Sequence, residues 1–518
     1  MASYSEFEEA TIAAIATAPG AGGIGIIRIS GFKAAAVLNR LFRPAGRRGH
    51  EDADTPPSHR LRYGWIVDPG TSLPLDEVMA VYMAAPATYT REDVVEIHCH
   101  GSYVVLREIL GLILAEEGLR VAQPGEFTKR AFLNGRIDLT RAEAVLDLFN
   151  AGTRTGLNLA LSQLQGGLYQ RLSWVRATLL ELLAVIEVAI DFPEDGGDII
   201  DVAALGQRLA AEVGSPLLEL LARARHGRIF REGANVVIYG RPNVGKSSLL
   251  NALLGEERAI VTAMIGTTRD TIEECLNIHG MPLRLIDTAG IRETTETVEE
   301  IGVERSRHRV AAADLVLLLV EAGAPVTPED LALNAGVAEK KVLVVVNKLD
   351  LLPGAETGVQ VLTVDQALAK WTAHFPGRPL VGVSARTGRG LRALEDAIFR
   401  AISGGEPPKP THDAVHDFTG NPAPDPAGDP AHDPARNPAR NLACDPDYAC
   451  VPNARHAAAL VKASAAIQRL AAGFAADLAP ELLAIELQDG LSHLDEIIGE
   501  TSNEDLLDSI FSRFCLGK

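Results

Sequence analysis

Cysteine is scarce: five residues in a chain of 518, with no even spacing that would suggest a disulfide framework. That excludes the small, stapled, secreted class and makes a reducing cytoplasm the expected compartment. Long apolar runs are missing too. None reaches the roughly 20 residues that a bilayer-spanning helix needs, and the N-terminal stretch lacks the basic, apolar, small-residue order of a secretory signal. No membrane segment is expected. Positive charge is also in deficit. A formal net charge of −19 argues against a surface that wraps nucleic acid over its whole extent, although a local basic face remains open. The plainest use of so much acid is a solvated surface.

What the chain does have is length, more than one hydrophobic core can use, so several domains are expected. Residues 1–135 read as a mixed α/β domain, with strands at Gly25–Ser30, Val78–Met83 and Val94–His98 and an amphipathic helix at Tyr103–Glu117. The polar stretch Arg43–His59 reads as a loop. Residues 136–231 change texture: strand signals vanish, and Leu, Ala and Ile recur at helical spacing through Leu157–Ile190 and Val202–Ala224. The run Asp191-Phe192-Pro193-Glu194-Asp195-Gly196-Gly197 separates the two.

Residues 232–403 alternate buried-strand and helix patterns. Strands are expected at Ala234–Tyr239, Leu283–Ile286, Leu315–Val320, Val342–Val346 and Leu380–Val383, an order that implies a doubly wound parallel sheet. Residues 404–450 are rich in Asp-Pro, Asn-Pro and Ala and hold too few apolar side chains to offset an ordering cost, so they read as a flexible insertion. Cys444 and Cys450 lie at its end, either as bystander thiols or as a metal pair. Helical periodicity returns in residues 451–518, at Arg455–Ala476, Pro480–Ile498 and Asp505–Phe514. The economical architecture is one helical domain with the second α/β domain inserted into it.

The chemistry is concentrated in that inserted domain. Gly240-Arg241-Pro242-Asn243-Val244-Gly245-Lys246-Ser247 follows a strand pattern and leads into a helix beginning at Ser248, the setting that a phosphate-binding loop requires. Its glycines let backbone N–H groups close around phosphate oxygens. Lys246 can reach the β and γ phosphates, and the Ser247 hydroxyl can join a Mg²⁺ shell. Further on, Asp287-Thr288-Ala289-Gly290 ends a strand, where the carboxylate can hold Mg²⁺ through water. Thr268, in Thr262-Ala263-Met264-Ile265-Gly266-Thr267-Thr268, is the candidate switch residue that closes the metal shell.

Asn347-Lys348-Leu349-Asp350 selects the base. The Asp350 carboxylate matches the N1–H and exocyclic amine of guanine, whereas adenine would leave it facing an acceptor. Ser384-Ala385-Arg386 would close over the base edge. GTP is the expected nucleotide. Ile291 occupies the place where Ras-like proteins carry the glutamine that orients the attacking water, so another residue must do so, and an acid among Glu293, Glu296, Glu299 and Glu300 is a candidate. Asn243 carries an oxygen that could hold a monovalent cation in place of an arginine finger.

At this point the chain resembles the MnmE (TrmE) family of tRNA uridine-modifying GTPases, over nearly everything outside residues 404–450. The most specific mark is Phe514-Cys515-Leu516-Gly517-Lys518, similar to the family's Cys-x-Gly-Lys end. Gly23–Gly31, Pro124-Gly125-Glu126-Phe127, Arg130–Gly135 and Asp287–Gly302 reinforce it.

The resemblance implies an N-terminal domain that binds a folate and mediates homodimerisation, a helical domain, and an inserted Ras-like GTPase domain. The folate, a 5,10-methylene- or 5-formyl-tetrahydrofolate, would meet Arg28, Glu96, Arg136 and Lys518. Cations suit its glutamate carboxylates, and a carboxylate suits its pterin edge. Arg136 stands where the family carries lysine, which keeps the charge. Cys515 resembles the cysteine placed near the one-carbon chemistry; a small buried hydrophobe near a helix end is the alternative.

Asn243, Thr262, Met264 and Thr267 would hold K⁺, Ser247 and Thr268 would hold Mg²⁺, and Glu299 would orient the water. The partners implied are a second copy of the chain, a flavin-dependent MnmG (GidA)-like protein that alone carries FAD and completes a heterotetramer, and tRNA. The implied activity installs an aminomethyl-type group at carbon 5 of the wobble uridine, U34. A regulatory GTP switch in ribosome assembly shares the nucleotide motifs but has no use for the folate-like residues or the Cys515–Lys518 end.

Overall fold

The computed structural model describes residues 10–45, 56–192, 201–258, 274–287, 310–352, 364–407, 450–501 and 503–517. They form two compact units, one of Met1–Phe149, Gln163–Leu217 and Ala458–Lys518, the other of Asn150–Ser162 and Leu218–Ala457.

The first unit holds a seven-stranded sheet in the order β3-β4-β5-β6-β2-β1-β7. Its strands are β1 (Thr11–Ile15), β2 (Ile24–Ser30), β3 (Phe42–Pro44), β4 (Arg60–Val67), β5 (Pro74–Met83), β6 (Val94–His100) and β7 (Leu119–Val121). All pairings are antiparallel except β1 with β7. Side chains alternate between faces, so Ile27, Ile29, Val95 and Ile97 point into one core. There they meet Leu38 of the helix Ala34–Leu41, and Ile109 and Ile113 of the helix Tyr103–Leu114. The residues between them, Arg28, Glu96 and His98, face the other way. That face is covered at β1 by Phe127, packed with Ile12, Ala14 and Ala122.

The helical part of this unit is built on two long helices. Gly167–Asp191 packs against Pro480–Ile498 through apolar stripes such as Leu172, Val175, Leu179 and Ile186 on one and Leu487, Leu491 and Leu494 on the other. Arg176 Nε is tied to Asp495 Oδ1 at 2.5 Å across the seam. The two helical stretches, far apart in sequence, therefore meet. The last helix, Glu504–Phe511, puts Leu507, Ile510 and Phe511 on Leu139 and Ala142, the start of the helix Leu139–Asn150.

The second unit is a six-stranded sheet in the order β13-β12-β11-β8-β10-β9. The strands are β8 (Ala234–Gly240), β9 (Glu274–Ile278), β10 (Met281–Asp287), β11 (Leu315–Glu321), β12 (Val342–Asn347) and β13 (Leu380–Gly382). Helices cover both faces, and β11 and β12 are accordingly apolar along nearly their whole length.

Three details differ from the sequence reading. The sheet is not wholly parallel, because β9 hairpins back on β10 as an antiparallel edge. The expected helix over Val202–Ala224 is three segments: Val202–Arg208, a π-helical turn at Leu209–Gly214, and Ser215–Glu232. Pro216 accounts for the widened turn: it has no N–H to give, and its ring crowds the preceding carbonyls. The stretch Leu157–Ile190 is two helices, Arg154–Leu164 and Gly167–Asp191, parted at Gly166, whose φ is +90°.

Candidate functional site

Nucleotide-loop geometry begins where β8 ends. Gly240, with φ +156°, lies so close to β11 that a Cβ there would sit 2.6 Å from the Leu319 carbonyl oxygen. Gly245, with φ +99°, would push a Cβ to 2.4 Å from Asn347 Nδ2. Both positions are closed to larger residues, as a loop wrapped tightly around a ligand requires. Lys246 opens the helix Lys246–Arg258, and its Nζ donates to the carbonyl oxygens of Gly240 at 2.9 Å and Arg241 at 2.8 Å. Those bonds hold the ammonium over the mouth of the loop. Ser247 and Ser248 are exposed at the helix N-terminus.

Asn243 is also exposed, in the left-handed region at φ +62°. Asn tolerates that conformation better than most side chains, which is a backbone reason for its presence independent of any cation.

Base-recognition residues converge from two strand ends. Asn347 is 1% exposed; its Nδ2 donates to the Val244 carbonyl at 3.0 Å and its Oδ1 accepts the Ala385 N–H at 3.1 Å. Lys348 adopts φ +65° and pairs with Glu321 Oε2 at 2.8 Å. The buried Ser384 hydroxyl donates to Asp350 Oδ1 at 2.7 Å and accepts the Thr387 N–H at 3.2 Å. The carboxylate that would read guanine is thus oriented from behind. Asp287 ends β10, which runs parallel to β8. Thr262 to Thr268, Thr288 to Gly290 and Glu299 lie outside the described residues, so the expected K⁺ loop, switch threonine and water-orienting acid are not placed.

Of the folate-like residues, the first unit brings Arg28 and Glu96 into direct contact. Arg28 and Glu96 are direct partners across β2 and β6, with Arg28 Nε and Nη2 at 2.9 and 2.8 Å from Glu96 Oε1. They are bound to each other, a pairing their separation in sequence did not reveal. Arg28 also lies over the Phe127 ring at 5.7 Å and donates from Nη1 to the Gly517 carbonyl at 3.2 Å. The Gly517 backbone, at φ +90°, rests on the end of β1, where a Cβ would be 2.5 Å from the Ile15 carbonyl oxygen.

Cys515 accepts the Gly125 N–H through its carbonyl at 3.4 Å, and its thiol side is exposed, contrary to a buried hydrophobe. Lys518 lies outside the described residues. Arg136 donates to the Thr88 carbonyl at 2.7 Å and stacks on Tyr89 with its guanidinium 4.9 Å from the ring. Burial pushes the Tyr89 hydroxyl above its ordinary pKa, against the opposing bond with Thr128. Phe127 stood in the family-like Pro124–Phe127 stretch, whereas nothing in the sequence singled out Tyr89 as the ring under Arg136.

Beside this cluster sits a buried ionic network. Glu126 is gripped by Arg120, by the Gln123 N–H and by Arg130. Burial alone would raise the Glu126 carboxyl, but those partners together hold it below the usual carboxylate value. Arg130 continues to Glu92, which accepts the Ser30 hydroxyl at 2.7 Å. Among the described residues no group of three or more His, Cys, Asp or Glu side chains is arranged to hold a metal ion. No helix among them is long and apolar enough to cross a membrane.

Comparison with known proteins bears on the whole chain. The profile described as "GTP-binding protein TrmE N-terminus" matches residues 11–136, and that described as "MnmE helical domain" matches residues 139–515. A tRNA modification GTPase MnmE of Desulfotalea psychrophila is 45% identical over 521 residues, covering 100% of this chain and 99% of that protein. One of Geobacillus kaustophilus is 45% identical over 519 residues, covering 99% and 100%. Among solved structures, Era from Aquifex aeolicus is 30% identical over 34% of this chain and 59% of that one, with a TM-score of 0.27. With identity sustained from end to end, and with a phosphate-loop unit lying within the span of the helical profile, the chain belongs to the MnmE family of tRNA modification GTPases.

Proposed function

We propose that this protein is a K⁺- and Mg²⁺-dependent GTPase that acts as a homodimer, with a flavin-dependent MnmG-like partner, to modify carbon 5 of the wobble uridine in certain tRNAs. A tetrahydrofolate supplies the one-carbon unit, and GTP hydrolysis drives a conformational cycle. The FAD belongs to the partner, and the tRNA is the substrate of the pair.

One observation carries the reading. The tail Cys515–Gly517 lies at Arg28, beside Glu96, with Phe127 adjacent. A GTP switch without one-carbon chemistry has no use for a chain tail held against a paired guanidinium and carboxylate beside an aromatic ring, two residues from an exposed cysteine. At that site, Arg28, Arg136 and Lys518 would meet the folate's carboxylates, and Glu96 its guanidine-like pterin edge.

Dimerisation has a supporting surface. Tyr63 pairs across the strands with Met79, and Met79 with His98; Leu61 pairs with Val81, and Val81 with Glu96. Leu61, Tyr63, Trp65 and Met79 are all well exposed, so an apolar face runs directly into the Arg28–Glu96 site. A second copy seated there would cover the apolar strip and enclose the folate.

In the nucleotide unit, Lys246 would neutralise the β and γ phosphates, and Ser247, Thr268 and Asp287 would serve Mg²⁺. Asn243, with Thr262, Met264 and Thr267, would hold K⁺ where developing charge needs a cation, and Glu299 would orient water.

The test is GTP turnover in KCl against NaCl at equal ionic strength, for wild type, Asn243→Ala and Asn243→Gly. Glycine keeps the φ +62° backbone and removes the side-chain oxygen. K⁺ stimulation of at least tenfold, lost in both variants, supports the cation site. Equal rates in the two salts would sink it, and a loss confined to Asn243→Ala would assign Asn243 to the backbone alone.

A further inference from the structure

The second residue of the phosphate loop is tethered from outside the loop. Arg241 Nε lies 2.6 Å from Asp330 Oδ1, and Asp330 is 1% exposed. The other carboxylate oxygen is already committed: Asp330 Oδ2 accepts the Thr327 N–H at 3.0 Å and the Thr327 hydroxyl at 2.8 Å. Thr327 in turn accepts the Asp330 N–H, closing a capping box at the start of the helix Pro328–Ala335. One buried carboxylate therefore caps a helix and anchors Arg241, and its position is determined by both tasks.

We propose that Asp330 is a positioning residue for the nucleotide site. A loop with glycine at Gly240 and again at Gly245 has little stiffness of its own at those points. The carbonyl oxygens that receive Lys246 Nζ are those of Gly240 and of Arg241 itself. Holding the Arg241 side chain fixes the second of these carbonyls, and so fixes where the ammonium points. The tether survives because a buried carboxylate deprived of its cation is costly, so the pair resists exchange with water. It also joins the loop to the segment that follows β11, so that a shift in either is felt by the other. This rests on Lys246 being the phosphate-binding lysine.

The experiment compares full-length wild type, Arg241→Gln, Asp330→Asn and the double variant. Asp330→Asn keeps an acceptor for Thr327 and removes the charge that holds Arg241. In nucleotide-free protein, amide hydrogen exchange across residues 241–246 is expected to rise at least tenfold in each single variant. GDP affinity is expected to fall about tenfold in each and no further in the double variant, since both remove one tether. Arg241→Lys should recover part of the loss.

Unchanged exchange and GDP binding within twofold of wild type in Arg241→Gln would overturn the proposal. Losses that multiply in the double variant would also overturn it. Arg241→Gln leaves the helix cap intact, so the test stands even if Asp330→Asn folds poorly. Wild type that fails to bind GDP would remove the nucleotide site itself, a result distinct from variants that bind as wild type does.

Discussion

Asn347 spans two loops with one amide: its nitrogen holds the Val244 carbonyl inside the phosphate loop, and its oxygen holds the Ala385 N–H inside the loop that would cover the base. Phosphate and base recognition therefore share a buried hinge pin. Replacing it leaves a carbonyl and an N–H without partners in a nearly dry site.

Asn347→Ala is expected to cost about 1–3 kcal/mol of stability in the nucleotide unit. GDP affinity should fall more than tenfold, because both loops lose their mutual support. Chemical denaturation and nucleotide titration measure the two effects separately. Full stability with normal affinity would show that the bridge is dispensable.

Asp350→Asn should change the base rather than abolish binding. Xanthine presents a carbonyl where guanine carries its amine, and an amide can donate to that carbonyl. GTP affinity should fall by at least a hundredfold, while xanthosine triphosphate gains. Ser384, which orients the side chain in wild type, remains able to bond the amide. Equal losses for both nucleotides would mean that Asp350 does not read the base edge.

Gly517→Ala tests the tail without touching its charges. A Cβ at φ +90° would press to 2.5 Å from the Ile15 carbonyl oxygen, so the tail has to lift from β1. Binding of 5-formyl-tetrahydrofolate, followed by calorimetry, should weaken at least tenfold, with GTP turnover unchanged. Arg28→Ala should match it, since the Gly517 carbonyl and the Glu96 carboxylate both lose their donor.

The Glu126 network predicts an acid limb in the stability of the first unit. The carboxyl's pKa is lowered on folding, so its contribution is fully present above about pH 4.5, its ordinary value. It is lost as pH falls through the lowered native pKa. Glu126→Gln should cost on the order of 3 kcal/mol at neutral pH and flatten that acid limb. Thermal melts between pH 3 and 7 would show it. An unchanged slope would place the acid sensitivity elsewhere.

What could be read from the chain before its structure follows from the range of each signal. The nucleotide motifs were legible because their chemistry demands fixed residues at short spacing: β8 ends at Gly240, Lys246 opens the following helix, and Asn347 ends β12. The strands at 315 and 342 were legible because burial on both faces leaves continuous apolar runs. β1 was not, since Thr11-Ile12-Ala13-Ala14-Ile15 is short and two of its five residues are alanine. β9 was not either: its Glu274 and Asn277 break the apolar run expected of a strand in such a sheet. The Arg28–Gly517 and Arg241–Asp330 links were invisible for a different reason. Each joins residues whose approach is decided by the topology of the whole unit, and no local pattern records it.

The contact between Arg28 and Gly517 spans 489 positions of the chain. On a ribosome, the strand that carries Arg28 emerges early and can pair with its neighbours while most of the protein is still untranslated. Its partner Gly517 follows only after both units have been translated. A polypeptide interrupted between residues 458 and 517 would carry the whole length of the second unit and lack the tail residue that Arg28 holds. Termination in that interval is therefore expected to leave GTP binding in place while removing the backbone contact at the proposed folate site, a separation that no substitution in the second unit could produce.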